Sequence, residues 1–223
     1  MQSVQCGSLV LLRHGETIWS KSGQHTGHTD IPLTENGIAQ AKTAGMRLRE
    51  AFPDGFNADC VYVSPLKRAQ QTLAYTGLGE GTILPEIIEW DYGKAEGRTR
   101  EDIHQFMPDW DIWDDGPTAL PDTMLGEWEA ELDGQDSLIV KNGEGENLNE
   151  VADRTRKAIE LIFPKIKSGN NVLFVAHAHV LRILATQWIN ADPILARNMR
   201  LDTAHYSVLS LYKGDSVIEH WNM

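Results

Sequence analysis

Arginine, histidine and glycine stand in a row at Arg13, His14 and Gly15, directly after the apolar run of residues 8–12. A histidine at such a position is, taken alone, usually structural. The arginine before it changes the chemistry, because a planar guanidinium offers a fork to two phosphate oxygens. The glycine after it lets backbone approach a ligand closely. The trio therefore reads as a unit that faces phosphate. A second histidine, His177, follows the apolar run of residues 171–176, and Arg68 lies one turn into the segment after a third run, residues 60–63. Phosphoryl transfer asks a protein chiefly for positioning and for neutral balance at the equatorial oxygens, a task that Arg13, Arg68 and His177 suit.

The elements that must hold these residues follow from the pattern. Residues 8–12 read as a buried strand ending at the Arg13–His14 pair. Thr34 reads as the cap of a helix whose core positions are Ile38, Ala41, Met46, Leu48 and Phe52. Residues 60–63 read as a second strand, with Ser64 capping the next helix and Pro65 at its first turn. Residues 171–176 form a third strand that runs into an apolar helix, and residues 205–221 close the chain as a hairpin. Strands alternating with helices predict a three-layer α/β/α sandwich with a mainly parallel central sheet and helices on both faces. Such sheets place their sites at the carboxyl ends of the strands, which brings His14, Arg13, Arg68 and His177 to one edge.

Length and charge narrow the function. The 223 residues suit a single domain, residues 1–223, with an inserted lid at about 96–150, where the composition shifts to tryptophan, acid, glycine and proline. A formal net charge of −12 argues against nucleic acid and anionic membranes as partners. The first residues lack a basic stretch followed by a long apolar run, and no run is long enough to span a bilayer, so a soluble, cytoplasmic protein is expected. Cys6 and Cys60 form no spaced framework, and neither is read as catalytic. The acidic segment fails the calcium-loop spacing and reads as a solvated excursion pinned by Trp110, Trp113 and Trp128. His25, His28 and His179 suggest a metal site with His14 and His177, but two arginines would repel a cation there, so no metal and no cofactor is expected.

The blocks RHGET, TGHTDIPLTENG, SPLKRAQQT, EWDYGKAEG, GEGENLNEVADR and VAHAHVLR, in this order between residues 9 and about 182, resemble the histidine phosphatase (phosphoglycerate mutase-like) superfamily. The resemblance implies that His14 is the nucleophile and receives the phosphoryl group. It implies phosphate-pocket roles for Arg13, Arg68 and His177, with Ser20, Thr26, Gly27 and the backbone at Ala178 as further donors. It also implies that the acid preceding the Tyr92–Gly93 pair, Glu89, serves as general acid and base, with Glu86 its nearest competitor. Glu16, beside the nucleophile, is read instead as orienting or capping.

Mutases of this superfamily need a second basic cluster for a bisphosphate. Here the segment after EWDYGKAEG carries Arg98 and Arg100 and then turns acidic, and Ser20 replaces the asparagine common in mutases, which favours hydrolysis. The wording of several blocks is most similar to the branch of fungal sedoheptulose bisphosphatase and bacterial acid phosphatases. The substrate implied is a small phosphorylated metabolite, a sugar phosphate or bisphosphate, with Arg98, Arg100, Lys94 or His28 as contacts for a second anionic group. Ala178 stands where many relatives have glycine, and its methyl group is expected to narrow the pocket floor. A phosphoglycerate mutase and a non-catalytic phosphate-binding regulator are the alternatives; self-association is compatible with all three.

Overall fold

The computed structural model describes residues 6–132 and 136–223. The expectation about a leader at the amino terminus rests on residues 1–10, of which 1–5 lie outside the described residues. In chain order the elements are β1 (Leu9–Arg13), α1 (Ile18–Ser22), α2 (Glu35–Ala51), β2 (Val61–Val63), α3 (Lys67–Thr76), β3 (Thr82–Ile83), α4 (Arg100–His104), β4 (Gly126–Glu131), β5 (Ser137–Asn142), α5 (Leu148–Lys167), β6 (Val172–Ala176), α6 (Ala178–Trp188), β7 (Tyr206–Tyr212) and β8 (Asp215–His220).

The central sheet has the order β3-β2-β6-β1-β7-β8. Its first four strands are parallel, and β7 and β8 add the antiparallel hairpin at the other edge. Because side chains alternate along a strand, each central strand serves both faces. Leu9 and Leu11 of β1, Tyr62 of β2 and Phe174 of β6 pack with Val151, Ile162, Leu181 and Leu184 of α5 and α6. Val10, Leu12, Val61, Val63 and Val175 pack with Ala44, Leu48, Ala69 and Leu73 of α2 and α3. The continuous apolar runs of β1 and β6 are thus those of strands covered on both sides, and the three-layer α/β/α sandwich is what forms.

Several local expectations are corrected. Ser64 does not cap a helix; α3 begins at Lys67, with Leu66 at the cap position, because Ser64 is turned inward to a histidine. Met46 is an exposed position, 59 % accessible; Ala41 and Leu48 are buried as expected, with Ala44 beside them, and Phe52 lies just past the end of α2. The short edge strand β3 pairs with β2 through only two residues, too few to leave a periodic signal. Residues 96–150 are more than a solvated excursion. They contain the antiparallel pair β4–β5, and Trp110, Ile112, Leu120 and Met124 join the core beneath α5 and α6. The first turn of α5 also falls within that range, opened by a capping box between Asn147 and Glu150.

Gly15 has a different reason from the one its neighbours suggest. A Cβ there would lie 2.4 Å from the Gly37 carbonyl oxygen, and one on Gly37 would lie 2.1 Å from the Glu16 carbonyl oxygen. The two glycines let the loop after β1 cross the start of α2, so Gly15 serves backbone packing rather than approach to a ligand. Glu16 locks the same crossing by accepting from the Thr34 hydroxyl and the Asn36 amide.

Candidate active site

The strands β2, β6 and β1 lie side by side and end at Ser64, His177 and His14, so the sheet itself gathers these three side chains. His14 and His177 have ring centroids 5.1 Å apart. The His14 Nδ1 lies 2.7 Å from the Gly15 carbonyl oxygen. Nδ1 therefore carries the hydrogen and donates it, which leaves a lone pair on Nε2. Burial, then Arg68 and Arg13, hold the His14 pKa well below the usual histidine range, so the ring is neutral near pH 7. Its Nε2 makes no hydrogen bond among the described residues and is not sealed from solvent. His14 lines a cleft of about 190 Å³ together with Arg13, Glu89, Tyr92, Ala178 and His179.

Arg13 donates through one terminal nitrogen to the Leu201 carbonyl, 2.7 Å away. Its Nε is buried with no partner. An orphaned buried donor is costly; the other terminal nitrogen, Nη2, has no partner among the described residues, is not sealed from solvent, and is the donor an oxyanion in the cleft could meet. Burial lowers the Arg13 pKa, with Glu89, Tyr92 and Asp202 acting in the opposite direction.

Arg68 and His177 sit one layer behind. Both are fully buried, and neither lines the cleft. Arg68 donates from Nε to His177 Nδ1 at 3.0 Å, and from its terminal nitrogens to the carbonyls of Thr29, Thr26 and Gly27. Since Nδ1 of His177 accepts, its Nε2 carries the hydrogen and donates to the Ser64 hydroxyl at 2.7 Å. Burial, Arg68 and His14 keep His177 neutral, well below the usual range. In this arrangement Arg68 acts at a distance, holding the residue 26–29 loop and lowering the His14 pKa.

Glu89 is 3 % exposed and lies at the opening of α6. Its carboxylate accepts from the backbone N–H groups of Trp90 and Val180, both at 2.9 Å, and of His179 at 3.2 Å. These bonds aim it along the helix start and leave the Ala178 N–H unclaimed among the described residues. The loop before Glu89 is clamped by Arg154, which donates to the carbonyls of Glu86, Ile88 and Glu89 and pairs with the Glu146 carboxylate. Glu86 contributes only its carbonyl to this clamp and does not line the cleft.

The remaining expected contacts divide. Ser20, Thr26 and Ala178 line the cleft. The Ser20 hydroxyl closes a capping box with Thr17, and the Thr26 hydroxyl donates to the Gln24 carbonyl. Gly27 does not line it, since its N–H is bound by both Glu96 oxygens, at 3.0 and 2.9 Å. Arg98 is also outside, stacked on Trp128 at 4.1 Å and donating to the Lys94 carbonyl. Sequence reasoning missed Ser64, Glu96, Arg154 and the role of His179. Arg154 and Glu96 do fall in quoted blocks, but the loop backbone groups they bind are 65 or more residues away, so spacing carries no signal of those contacts. Among the described residues no three His, Cys, Asp or Glu side chains gather as metal ligands, and no helix is long and apolar enough to cross a membrane.

An α/β sandwich with polar and ionisable side chains converging at the ends of adjacent parallel strands defines a class of enzymes with strand-end sites. A family model for the histidine phosphatase superfamily (branch 1) matches residues 9–223, and the chain belongs to that superfamily. It is 32 % identical over 206 residues, 92 % of this chain and 87 % of the other, to an acid phosphatase of Mycobacterium tuberculosis. It is 33 % identical over 209 residues, 86 % of this chain and 88 % of the other, to a 2,3-bisphosphoglycerate-dependent phosphoglycerate mutase of Lactiplantibacillus plantarum. A solved Mycobacterium tuberculosis structure superposes with a TM-score of 0.79 at 30 % identity, covering 97 % of both chains. Identity at this level does not separate phosphatase from mutase, so the choice falls to the site.

Proposed function

We propose that this enzyme hydrolyses small phosphomonoesters, sugar phosphates among them, through a phosphohistidine at His14. The observation that carries the reading is the tautomer of His14: Nδ1–H is held by the Gly15 carbonyl, and a neutral Nε2 opens on a cleft also lined by Arg13, whose Nη2 has no partner among the described residues. The Nε2 lone pair attacks phosphorus, the ester P–O bond breaks, and Glu89 gives the leaving oxygen its proton. Glu89 then takes a proton from water, the hydroxide attacks phosphorus, the P–N bond breaks, and inorganic phosphate leaves. Arg13 and the free Ala178 N–H at the start of α6 receive the equatorial oxygens. Arg68 and His177 support this set from behind. A small phosphorylated metabolite as substrate, rather than a polyanion, fits the formal net charge of −12.

The mutase reading is favoured by the names of four relatives, and Arg13 as the cleft's lone fixed cation among the described residues weighs against it. Phosphate release from sugar phosphates, 3-phosphoglycerate and phenyl phosphate, with chelator present and isomerised product followed in parallel, tests both. Release that disappears in His14→Ala, with an acid-labile phosphoryl group trapped on the parent protein, is the expected result. Isomerisation without release would move the enzyme to the mutases, and an active His14→Ala would sink the mechanism.

A further inference from the structure

The charges around the cleft narrow the substrate further, on the premise that His14 is the nucleophile as proposed. We infer that the cleft selects a phosphomonoester whose leaving group carries hydroxyls and no second anion, and that His25 and His179 read one of those hydroxyls. The candidates for a second anion are all engaged elsewhere. Lys94 is buried between Asp122 and Glu144, at 2.8 and 2.9 Å. Arg98 lies against Trp128, Arg100 pairs with Asp111 at 3.0 Å, and His28 faces Asp91 at 3.9 Å. None of the four lines the cleft, where Arg13 is the one fixed cation among the described residues. Beyond Gln24, which borders both spaces, a larger cavity of about 810 Å³ sets Asp102, Glu129 and Glu131 against Lys21. A second phosphate would meet carboxylates there, and burying it unpaired opposes binding.

Two histidines in the cleft are instead set as a neutral donor and acceptor. His25 Nδ1 lies 2.8 Å from the Arg98 carbonyl, so it donates and its Nε2 is an acceptor. Tyr92 keeps its proton, since burial and the nearby Glu89 and Glu96 raise its pKa well above the usual range. Among the described residues the Tyr92 hydroxyl meets only His179 Nδ1, the one acceptor within reach of its hydrogen, so we assign Tyr92 as the donor and place the His179 hydrogen on Nε2. Trp90, Tyr92 and Trp113 enclose the His179 ring. Burial, then Arg182, His25 and Arg13, keep His179 neutral, while Glu89 contacts only its backbone N–H. Both Nε2 atoms are without protein partners among the described residues, and neither is sealed from solvent. A hydroxyl is donor and acceptor at once and matches this pair; a phosphate dianion has no hydrogen for His25.

The test compares kcat/KM for glucose 6-phosphate, glucose 1,6-bisphosphate, 3-phosphoglycerate and phenyl phosphate, whose leaving group has no further polar atom. Glucose 6-phosphate is expected to exceed the bisphosphate and phosphoglycerate by about tenfold or more, the equivalent of ~1.4 kcal/mol. His179→Phe is expected to lower the ratio of glucose 6-phosphate to phenyl phosphate by about five- to tenfold, the worth of one hydrogen bond. Tyr92→Phe should move the ratio the same way, and His179→Gln, which keeps an N–H donor, should restore part of it. A preference for the bisphosphate or for phosphoglycerate overturns the inference, as does a His179→Phe loss equal on both esters, the mark of a structural role. Wild-type enzyme inactive on every ester, phenyl phosphate included, overturns the proposed function itself; activity on phenyl phosphate with bisphosphate preferred overturns only the selectivity.

Discussion

At the scale of the residue, His14 is defined by what its two nitrogens face. The Gly15 carbonyl takes Nδ1, and burial with Arg68 and Arg13 opposes protonation of Nε2. A base whose pKa is lowered stays unprotonated to lower pH. The acid limb of kcat/KM is therefore expected to lie well below pH ~6.5, the value of an unperturbed histidine. A profile from pH 4 to 9 checks this, and a fall centred at or above that value would contradict the arrangement. Glu89→Gln keeps the shape but cannot give up a proton as a carboxylic acid does. It is expected to slow turnover by about 10²–10⁴-fold on alkyl phosphates and less on aryl phosphates, whose leaving groups need little protonation.

At the scale of the element, the site depends on how the loops are pinned. A methyl group at Gly15 would strike the Gly37 carbonyl where the loop after β1 crosses α2. Gly15→Ala is expected to destabilise by about 1–3 kcal/mol, read from urea unfolding. Arg154 on α5 holds the carbonyls of Glu86, Ile88 and Glu89 itself and pairs with Glu146. Lysine cannot reproduce that planar fork. Arg154→Lys is expected to cost about 2–3 kcal/mol and, by loosening Glu89, to lower kcat/KM by about 10²-fold. Lost stability with unchanged kcat/KM would show that the clamp does not position the acid.

At the scale of the whole molecule, four histidines, the buried His14 and His177 and the half-buried His25 and His179, are all held below the usual range. The unfolded chain then binds more protons than the folded one once pH drops below about 6.5, so stability is full above that value and falls beneath it. Each histidine contributes up to about 1.4 kcal/mol per pH unit until its folded pKa is reached. Glu96, raised by burial, acts in the opposite sense near its own range. Urea midpoints are expected to be nearly level from pH 7 to 8 and to fall steeply from 6.5 to 5. A flat response across the lower interval would contradict the neutral histidines.

The local pattern determined the sandwich and the edge where the site lies, because strands covered on both faces must be continuously apolar and end where the chain turns to a helix. The family resemblance carried by its motifs pointed further, to His14, Arg13 and Glu89. It could not determine which side of the cleft floor each residue occupies. Ser64 looked like a helix cap and is the partner of His177; Arg68 looked like a phosphate contact and binds loop carbonyls. Those outcomes depend on atoms brought together from residues 26 to 177, and hydrogen bonds of such separation have no periodic trace. Only the tertiary structure decided that Arg98, Lys94 and Arg100 turn away from the cleft, since each follows the acid or ring it happens to meet. The charge of a side chain is written in the sequence, while the partner that neutralises it is chosen by packing.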